Sequence, residues 1–447
     1  MYFQQYPRVV LLIIMLLGLS LFAGCQILTG NSSIAEVHPT PGASLSAFGW
    51  VGVSFSEPMD ESSVQEAFSL SPQVKGVTLW LENTFWFRPI QPFEQDTRYT
   101  AQLAGAMITA QGETHTVKQS WEFSIRKPLI VYLSGGEVWR MKRDGSELLQ
   151  LSQSDGTVIE FSPEHSGEWI AYITHNNDGD QALWVMDREG ENERILVDCG
   201  PDRCAEPAWS MDRAWIAFNR EIYQGISGGY LPAKVWMVEV QTGETNQLYQ
   251  SDTALTQSPS FSPDGGKLAS YDITNKGIRI LDLNTSQEAI IPRIIQGSGE
   301  WSPDGTEILF TEAIAAQHEP FIGIYILNLD TKDLRSALGK EIGDTDFSQP
   351  RWSPDREWIA ASLRPVNTNA PKALWVIRLK DAFAIPISND PSATFSSYLW
   401  DPWGEFLVYQ SFKLTGSDSG TSIWIWDWDT RENRLLIDDG ARPAWLP

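Results

Sequence analysis

"FSPDGGKLAS", residues 261–270, sets an aromatic residue before a Pro-Asp-Gly turn and a short apolar strand. Close relatives of it return along the chain: "FSPEHSGEWIAY" from Phe161, "WSMDRAWIAF" from Trp209, "WSPDGTEILF" from Trp301, "WSPDREWIAA" from Trp352 and "WDPWGEFLVY" from Trp400. The aromatic anchors are 48, 52, 40, 51 and 48 residues apart, the period of a four-stranded propeller blade. Pro fixes φ and Asp-Gly relaxes the reversal between a first and a second strand. The aromatic residue supplies the bulk that packs between neighbouring blades.

A second apolar segment follows each copy: "LWVMD" from Leu183, "VWMVE" from Val235, "IRILD" from Ile278, "IYILN" from Ile324, "LWVIR" from Leu374 and "IWIWD" from Ile423. A third, such as "ERILVD" or "NRLLID", completes four strands in a meander. Ahead of the first copy, "IVYLSGGEVWRMKRDGSELLQLS" supplies second, third and fourth strands but no first. The C-terminal "ARPAWLP" repeats the "PAW" of Pro207 to Trp209 and supplies the missing strand. Such a closure leaves no sheet edge open. The expected fold is all-β, with seven blades closed by the C-terminal strand; six or eight blades are the alternatives.

The recurring "SPDG" resembles the TolB-type, WD40-like propeller family over Leu129 to Pro447. The pattern is broken at Met211, Arg356 and Trp403, which changes turn chemistry without changing strand count. The family archetype has six blades. The resemblance implies a binding scaffold of the cell envelope, although other relatives precede serine-peptidase domains or act on sugars.

The first 25 residues differ from the rest. Arg8 precedes a 14-residue apolar run, Val9 to Phe22, short for the ~30 Å of bilayer hydrocarbon and typical of a signal-peptide core. "LFAGC" resembles the lipobox of bacterial lipoproteins, which implies cleavage before Cys25 and its lipidation. The alternative is an uncleaved signal anchor. Gln26, in place of an Asp, implies the outer membrane where there is one. The expected location is outside the cytoplasm, lipid-anchored to the cell membrane or outer membrane and facing the periplasm or cell exterior. A formal charge of −24 over 447 residues repels phosphate backbones and anionic lipid, which excludes nucleic acid as a natural partner.

In an oxidising compartment Cys199 and Cys204, flanking the Gly-Pro-Asp of "DCGPDRCAE", are expected to form a disulfide that stiffens one surface loop. A metal site there is the alternative, with no His nearby to complete it. Between a linker at 26–35 and the propeller at 128–447, residues 36–127 alternate apolar and polar positions. Val51, Val53 and Phe55 share one face, as do Val77, Leu79 and Leu81, Phe85 and Phe87, Tyr99, Ala101 and Leu103, and Trp121, Phe123 and Ile125. "FSEPMD" and "WFRPIQPFEQDTRYT" resemble bacterial Ig-like domains, which implies a β-sandwich acting as a spacer without a site of its own.

No catalytic residue is expected. "GISGG", Gly225 to Gly229, matches G-x-S-x-G but falls between two blade strands, whereas a nucleophile elbow joins a strand to a helix. His165, His175 and His318 are assigned to different repeats and read as surface loop residues, so no metal and no cofactor is expected. Trp139, Trp184, Trp236, Trp375 and Trp424 recur at one position per repeat, which fits inter-blade core better than a sugar site. Turns such as "SPDG", "REGE" and "DTKD" are short and share one face. The opposite face carries "ITHNNDGDQ", "REIYQGISGGYLPAK", "TEAIAAQHEPFIG" and "LRPVNTNAPKA", together with "DCGPDRCAE" and "KEIGDTDFSQ". Insertions confined to one face mark a binding surface, with neutral loop drift as the alternative. Tyr223, Tyr230, Phe321, Asp344 and Asp346 are the candidate binding residues there. The function expected is a non-catalytic envelope scaffold for a protein or surface ligand; the alternative is a polysaccharide-active enzyme with a metal in the central channel.

Overall fold

The computed structural model describes residues 34–249, 254–314, 321–338, 345–366, 368–414 and 420–447. The leader with Cys25, and also His318 and Asp344, lie outside these residues.

The N-terminal part folds into two four-stranded sheets. One orders Ile34–His38, Val51–Phe55, Thr84–Pro89 and Gly76–Leu81; the other orders Ser44–Leu45, Thr114–Ile125, Arg98–Ile108 and Phe68–Ser71. The alternation places Val51, Val53, Phe85, Tyr99, Leu103 and Phe123 in one buried core between the sheets. Two expectations need correction. A helix, Glu61–Ala67, interrupts the run of strands, with the Asp60 carboxylate accepting from the Ser63 N–H at 2.9 Å as its N-cap. In Gly76–Leu81 it is Trp80 that packs on the core, stacked on Phe55, whereas Val77, Leu79 and Leu81 border a cleft against the following domain. A second apolar neighbour therefore reverses the inward face of this edge strand.

Residues from Leu129 onward form seven four-stranded sheets. We number the blades by their innermost strands: Val158–Pro163 (blade 1), Arg203–Trp209 (blade 2), Thr256–Phe261 (blade 3), Glu300–Trp301 (blade 4), Thr345–Trp352 (blade 5), Ala393–Trp400 (blade 6) and Ala441–Leu446 (blade 7). Blade 7 is the split one, for Ala441–Leu446 pairs antiparallel with Leu129–Ser134 from the start of the domain. Each inner strand touches the next. The indole N–H of Trp209 donates to Ser162 O, that of Trp301 to Ser260 O and that of Trp445 to Leu399 O, at 3.0–3.2 Å. Arg351 pairs with Glu300 at 3.0 Å, the Tyr398 hydroxyl donates to Ser348 O, and Arg442 pairs with Glu160 across the seam. The ring is a β-propeller.

The repeated turn owes its form to a local hydrogen-bond circuit. The Ser262 hydroxyl donates to Asp264 Oδ1 at 2.5 Å and accepts from the Lys267 N–H at 2.9 Å, while Asp264 also accepts from the Gly266 N–H. Ser210, Ser302 and Ser353 repeat the circuit with Asp212, Asp304 and Asp355. The turn requires a left-handed residue, met by Gly265 at φ 81° and Gly305 at φ 73°. Arg213 and Arg356 hold the same position at φ 62° and 63°, at a cost on the order of 1 kcal/mol each that their own contacts offset.

The five recurrent tryptophans, Trp139, Trp184, Trp236, Trp375 and Trp424, pack at the margins of the inter-blade clusters but stay partly exposed. They sit on third strands, toward the rim. The buried tryptophans of the propeller are the anchors on the inner strands (Trp209, Trp301, Trp352 and Trp445) together with Trp358 and Trp426. His165 and His175 both belong to blade 1, the first just before its second strand Trp169–His175 and the other at that strand's end, so they share a repeat rather than occupying two.

Candidate functional site

The two faces of the propeller differ in what covers them. The N-terminal sandwich sits on the face of the short turns. Arg88, 3% exposed, reaches from Thr84–Pro89 into the blade 3 turn and donates to Pro263 O at 2.9 Å and Asp264 O at 2.8 Å. Burial lowers its pKa, while Asp264, Asp212 and Glu164 oppose that shift. Arg213 of the blade 2 turn stacks on Trp50 at 4.1 Å and pairs with the buried Glu164 at 3.4 Å. The His165 ring lies 4.2 Å from Phe48; burial, with Arg88 and Arg213 adding to it and Glu164 opposing, pulls its pKa down to about 4. Trp403 of the blade 6 turn donates its indole N–H to Phe93 O at 2.9 Å, and Arg126 pairs with Glu168 at 2.5 Å. Three residues where the turn departs from its repeat, Arg213, His165 and Trp403, thus contact the sandwich, whereas Arg356 pairs with Asp304 and Glu307 of the neighbouring blade. A domain read from the sequence as a spacer is docked. Beneath it lies a cavity of about 600 Å³, walled by Phe48, Ile90, Trp301, Trp352, Trp400 and Asp401 among others.

The loop-rich face carries no such cover among the described residues. Cys199 and Cys204 are joined by a disulfide, both at most 2% exposed. The bond ties the outer strand of blade 1, Arg194–Gly200, to the inner strand of blade 2, so it is an inter-blade staple as well as a loop closure. Within its loop, Asp202 accepts from the Tyr223 N–H at 2.8 Å and from Arg220 Nε at 2.8 Å. Tyr223 and Tyr230 bridge across the base of the 222–233 loop with rings 5.2 Å apart, and the Arg203 guanidinium covers Tyr230 at 4.0 Å. The two tyrosines are therefore engaged with their own loop. Gly225 to Gly229 form a turn with no helix after it, so Ser227 is not on a nucleophile elbow.

Asp346 Oδ2 is held by Arg364 at 3.2 Å and Lys372 at 3.3 Å. Burial lowers the Lys372 pKa, with Asp346 opposing. Phe321 opens Phe321–Asn328, half-buried, and is not brought together with the tyrosines by any contact.

A polar chain at the inner strands escaped the sequence reading. Glu160 pairs with Arg442 at 3.1 Å and accepts from the Glu206 N–H at 2.8 Å; Asn219 donates to Glu206 at 2.8 Å and accepts from the Ser258 N–H at 3.1 Å. It links blades 7, 1, 2 and 3. Glu206, Ser258, Gln349, Ser397 and Arg442 each stand three residues before an aromatic anchor with φ between 48° and 55°. The strands bulge there. The spacing was visible in the sequence, but five residues of four chemical types conceal the shared backbone geometry. Among the described residues no three of His, Cys, Asp and Glu are grouped to hold a metal ion, and no helix is long and apolar enough to cross a membrane.

Residues 30–125 match the family model for the bacterial Ig-like domain. Over 280 residues the chain is 27% identical to the Tol-Pal system protein TolB of Francisella tularensis subsp. mediasiatica, covering 59% of this chain and 59% of that protein. The same protein from subsp. holarctica is also 27% identical. The chain thus spans less than two thirds of the length of these relatives. Solved structures with a similar chain trace include TolB from Acinetobacter baumannii, at 16% identity with 79% of this chain and 81% of that one covered and a TM-score of 0.42. Another is the propeller domain of the Trilobed protease from Pyrococcus furiosus, at 11% identity, 91% and 98% coverage and a TM-score of 0.45. Residues 30–125 are a bacterial Ig-like domain, and the propeller that follows is TolB-like.

Proposed function

We propose that this chain is a non-catalytic envelope protein, held to a membrane through a lipid on Cys25, whose propeller binds a partner protein with its loop-rich face. The observation that carries the reading is the docking of the Ig-like domain. It occupies the short-turn face through Arg88, Trp403 and Arg213, which leaves the face of long connections for a partner. The likeness to a Tol-Pal system protein supports an envelope partner rather than a substrate. Binding and catalytic residues concentrate on loops carried by a rigid scaffold, and this scaffold puts its long loops on one side.

A steric block tests the choice of face. Asp178 stands exposed in the blade 1 loop of one face, and Asp330 is exposed in a turn of the other. Asp178→Cys and Asp330→Cys, each coupled to a maleimide polyethylene glycol, are compared for affinity toward the envelope protein recovered with the full chain. The block at 178 is expected to weaken binding by tenfold or more and the block at 330 to leave it unchanged. The reverse order would overturn the reading.

A further inference from the structure

We infer that the 222–233 loop is a preformed docking plug, whose tip residue Ile226 enters an uncharged apolar pocket on the partner protein. The inference rests on the reading that the loop-rich face meets the partner, and it names the element that does so. Four observations converge on it.

The loop, "IYQGISGGYLPA", has no charged residue in twelve, within a chain that is 20% charged and carries −24. Ile226 is 98% exposed and Leu231 41%. Isolated exposed apolar residues are ordinary, but this one stands at the tip of an uncharged loop that also exposes Leu231 and Tyr230.

The tip is also rigid. Gly228 and Gly229 N–H groups donate to Gly225 O, Gln224 N–H to Gly229 O and Leu231 N–H to Ile222 O. Gly225 and Gly229 take φ of 84° and 65°, and a Cβ on Gly228 would meet Gln224 Cβ at 2.6 Å, so the glycines are needed for this shape. Drifting loops do not require such internal bonding. The brace comes from outside the loop: Asp202 and Arg203, on the segment closed by the Cys199–Cys204 disulfide, hold Tyr223 and Tyr230. The tyrosines are then the stem, and the anchor is the side chain they leave outermost. Ordering this loop before binding removes the entropy that a mobile loop would lose on binding.

The occupant follows from charge. An uncharged tip on an acidic protein gains nothing from a basic patch and is best matched by an apolar pocket, with the net charge of −24 selecting against other acidic proteins. A lipid surface is disfavoured, because the loop offers no Lys or Arg to anionic headgroups and too few apolar side chains for stable insertion.

The test uses the full chain with p-benzoylphenylalanine at position 226 in cells, followed by affinity measurement with the purified protein it crosslinks. Expected are one crosslinked protein, no such product from the same probe at position 330, and a loss of affinity of about tenfold or more in Ile226→Asp. The Cys199→Ala, Cys204→Ala double variant should weaken binding by a smaller factor while the propeller melt stays cooperative. Crosslinking to lipid, or full affinity in Ile226→Asp, would overturn the inference. If Ile226→Asp binds fully while the polymer block at 178 abolishes binding, the plug alone is wrong. If both bind fully, the face is wrong too.

Discussion

Arg88→Ala should release the Ig-like domain from the propeller. The guanidinium is almost fully buried between two domains and makes two hydrogen bonds, at 2.9 and 2.8 Å, to the carbonyls of Pro263 and Asp264. Hydrogen bonds from a charged donor contribute about 1.5–3 kcal/mol each, so the pair is worth roughly 3–6 kcal/mol before the desolvation of the charge is set against it. That desolvation is real, since burial depresses the Arg88 pKa. A net loss of about 2–4 kcal/mol of docking free energy remains, much of the gap left unfilled by Ala and two carbonyls left without donors. Trp50 on Arg213, Phe48 on His165, Trp403 on Phe93 O and the Arg126–Glu168 pair would then hold the interface. Small-angle scattering should show a larger radius of gyration for Arg88→Ala, and urea denaturation should separate into two transitions. Arg88→Lys should fall near the alanine variant, because an ammonium lacks the planar fork that spans both carbonyls. Unchanged scattering and one unshifted transition in Arg88→Ala would refute the claim that this residue clamps the domains.

Asp401, fully buried with Oδ2 lacking a partner, has its pKa raised to about 6 by burial, so the native state binds more protons than the unfolded chain between pH 4 and 6. Its contribution is fully present below about pH 4 and lost as pH rises through 6, a cost of about 3 kcal/mol at pH 7; Asp401→Asn should raise stability at pH 7 and flatten that slope in urea titrations across pH 4–7. His165, with its pKa lowered to about 4, contributes the opposite slope over the same range, so His165→Asn should make stability fall more steeply as pH rises. Deleting residues 443–447 removes the buried Trp445 and Leu446 and opens the edge of Leu129–Ser134, and the melt should lose about 5 kcal/mol or more of stability. Cys25→Ser should shift the protein from the membrane pellet to the soluble fraction or block its processing.

The propeller was legible because its signal is repeated. An aromatic anchor, a Ser-Pro-Asp-Gly turn and an apolar second strand recur in register, so a failure such as "WDPWG" at Trp400 did not hide the blade. The closing strand could be read for the same reason, through the "PAW" shared by Pro207 and Pro443. The domain interface was not legible, because period-two alternation reports that a strand has two faces and not what each face meets. Val77 and Leu79 look like core and border the propeller instead. Its trace lay in the turns that break the repeat, where Trp403 gives up the usual turn Asp to reach Phe93 and Arg213 replaces a glycine to reach Trp50. On the loop-rich face, exposed tyrosines read as anchors because aromatic side chains dominate interfaces, but their pairing across the loop depends on Asp202 and Arg203, more than twenty residues away in sequence.

Hydrogen exchange of the full chain, free and bound to the envelope protein it recovers, tests most directly which face works. New protection is expected at 176–180, 199–204 and 222–233, with exchange unchanged at the turns 262–266, 302–306 and 353–357. Protection confined to those turns, or to the Ig-like domain, would contradict the account.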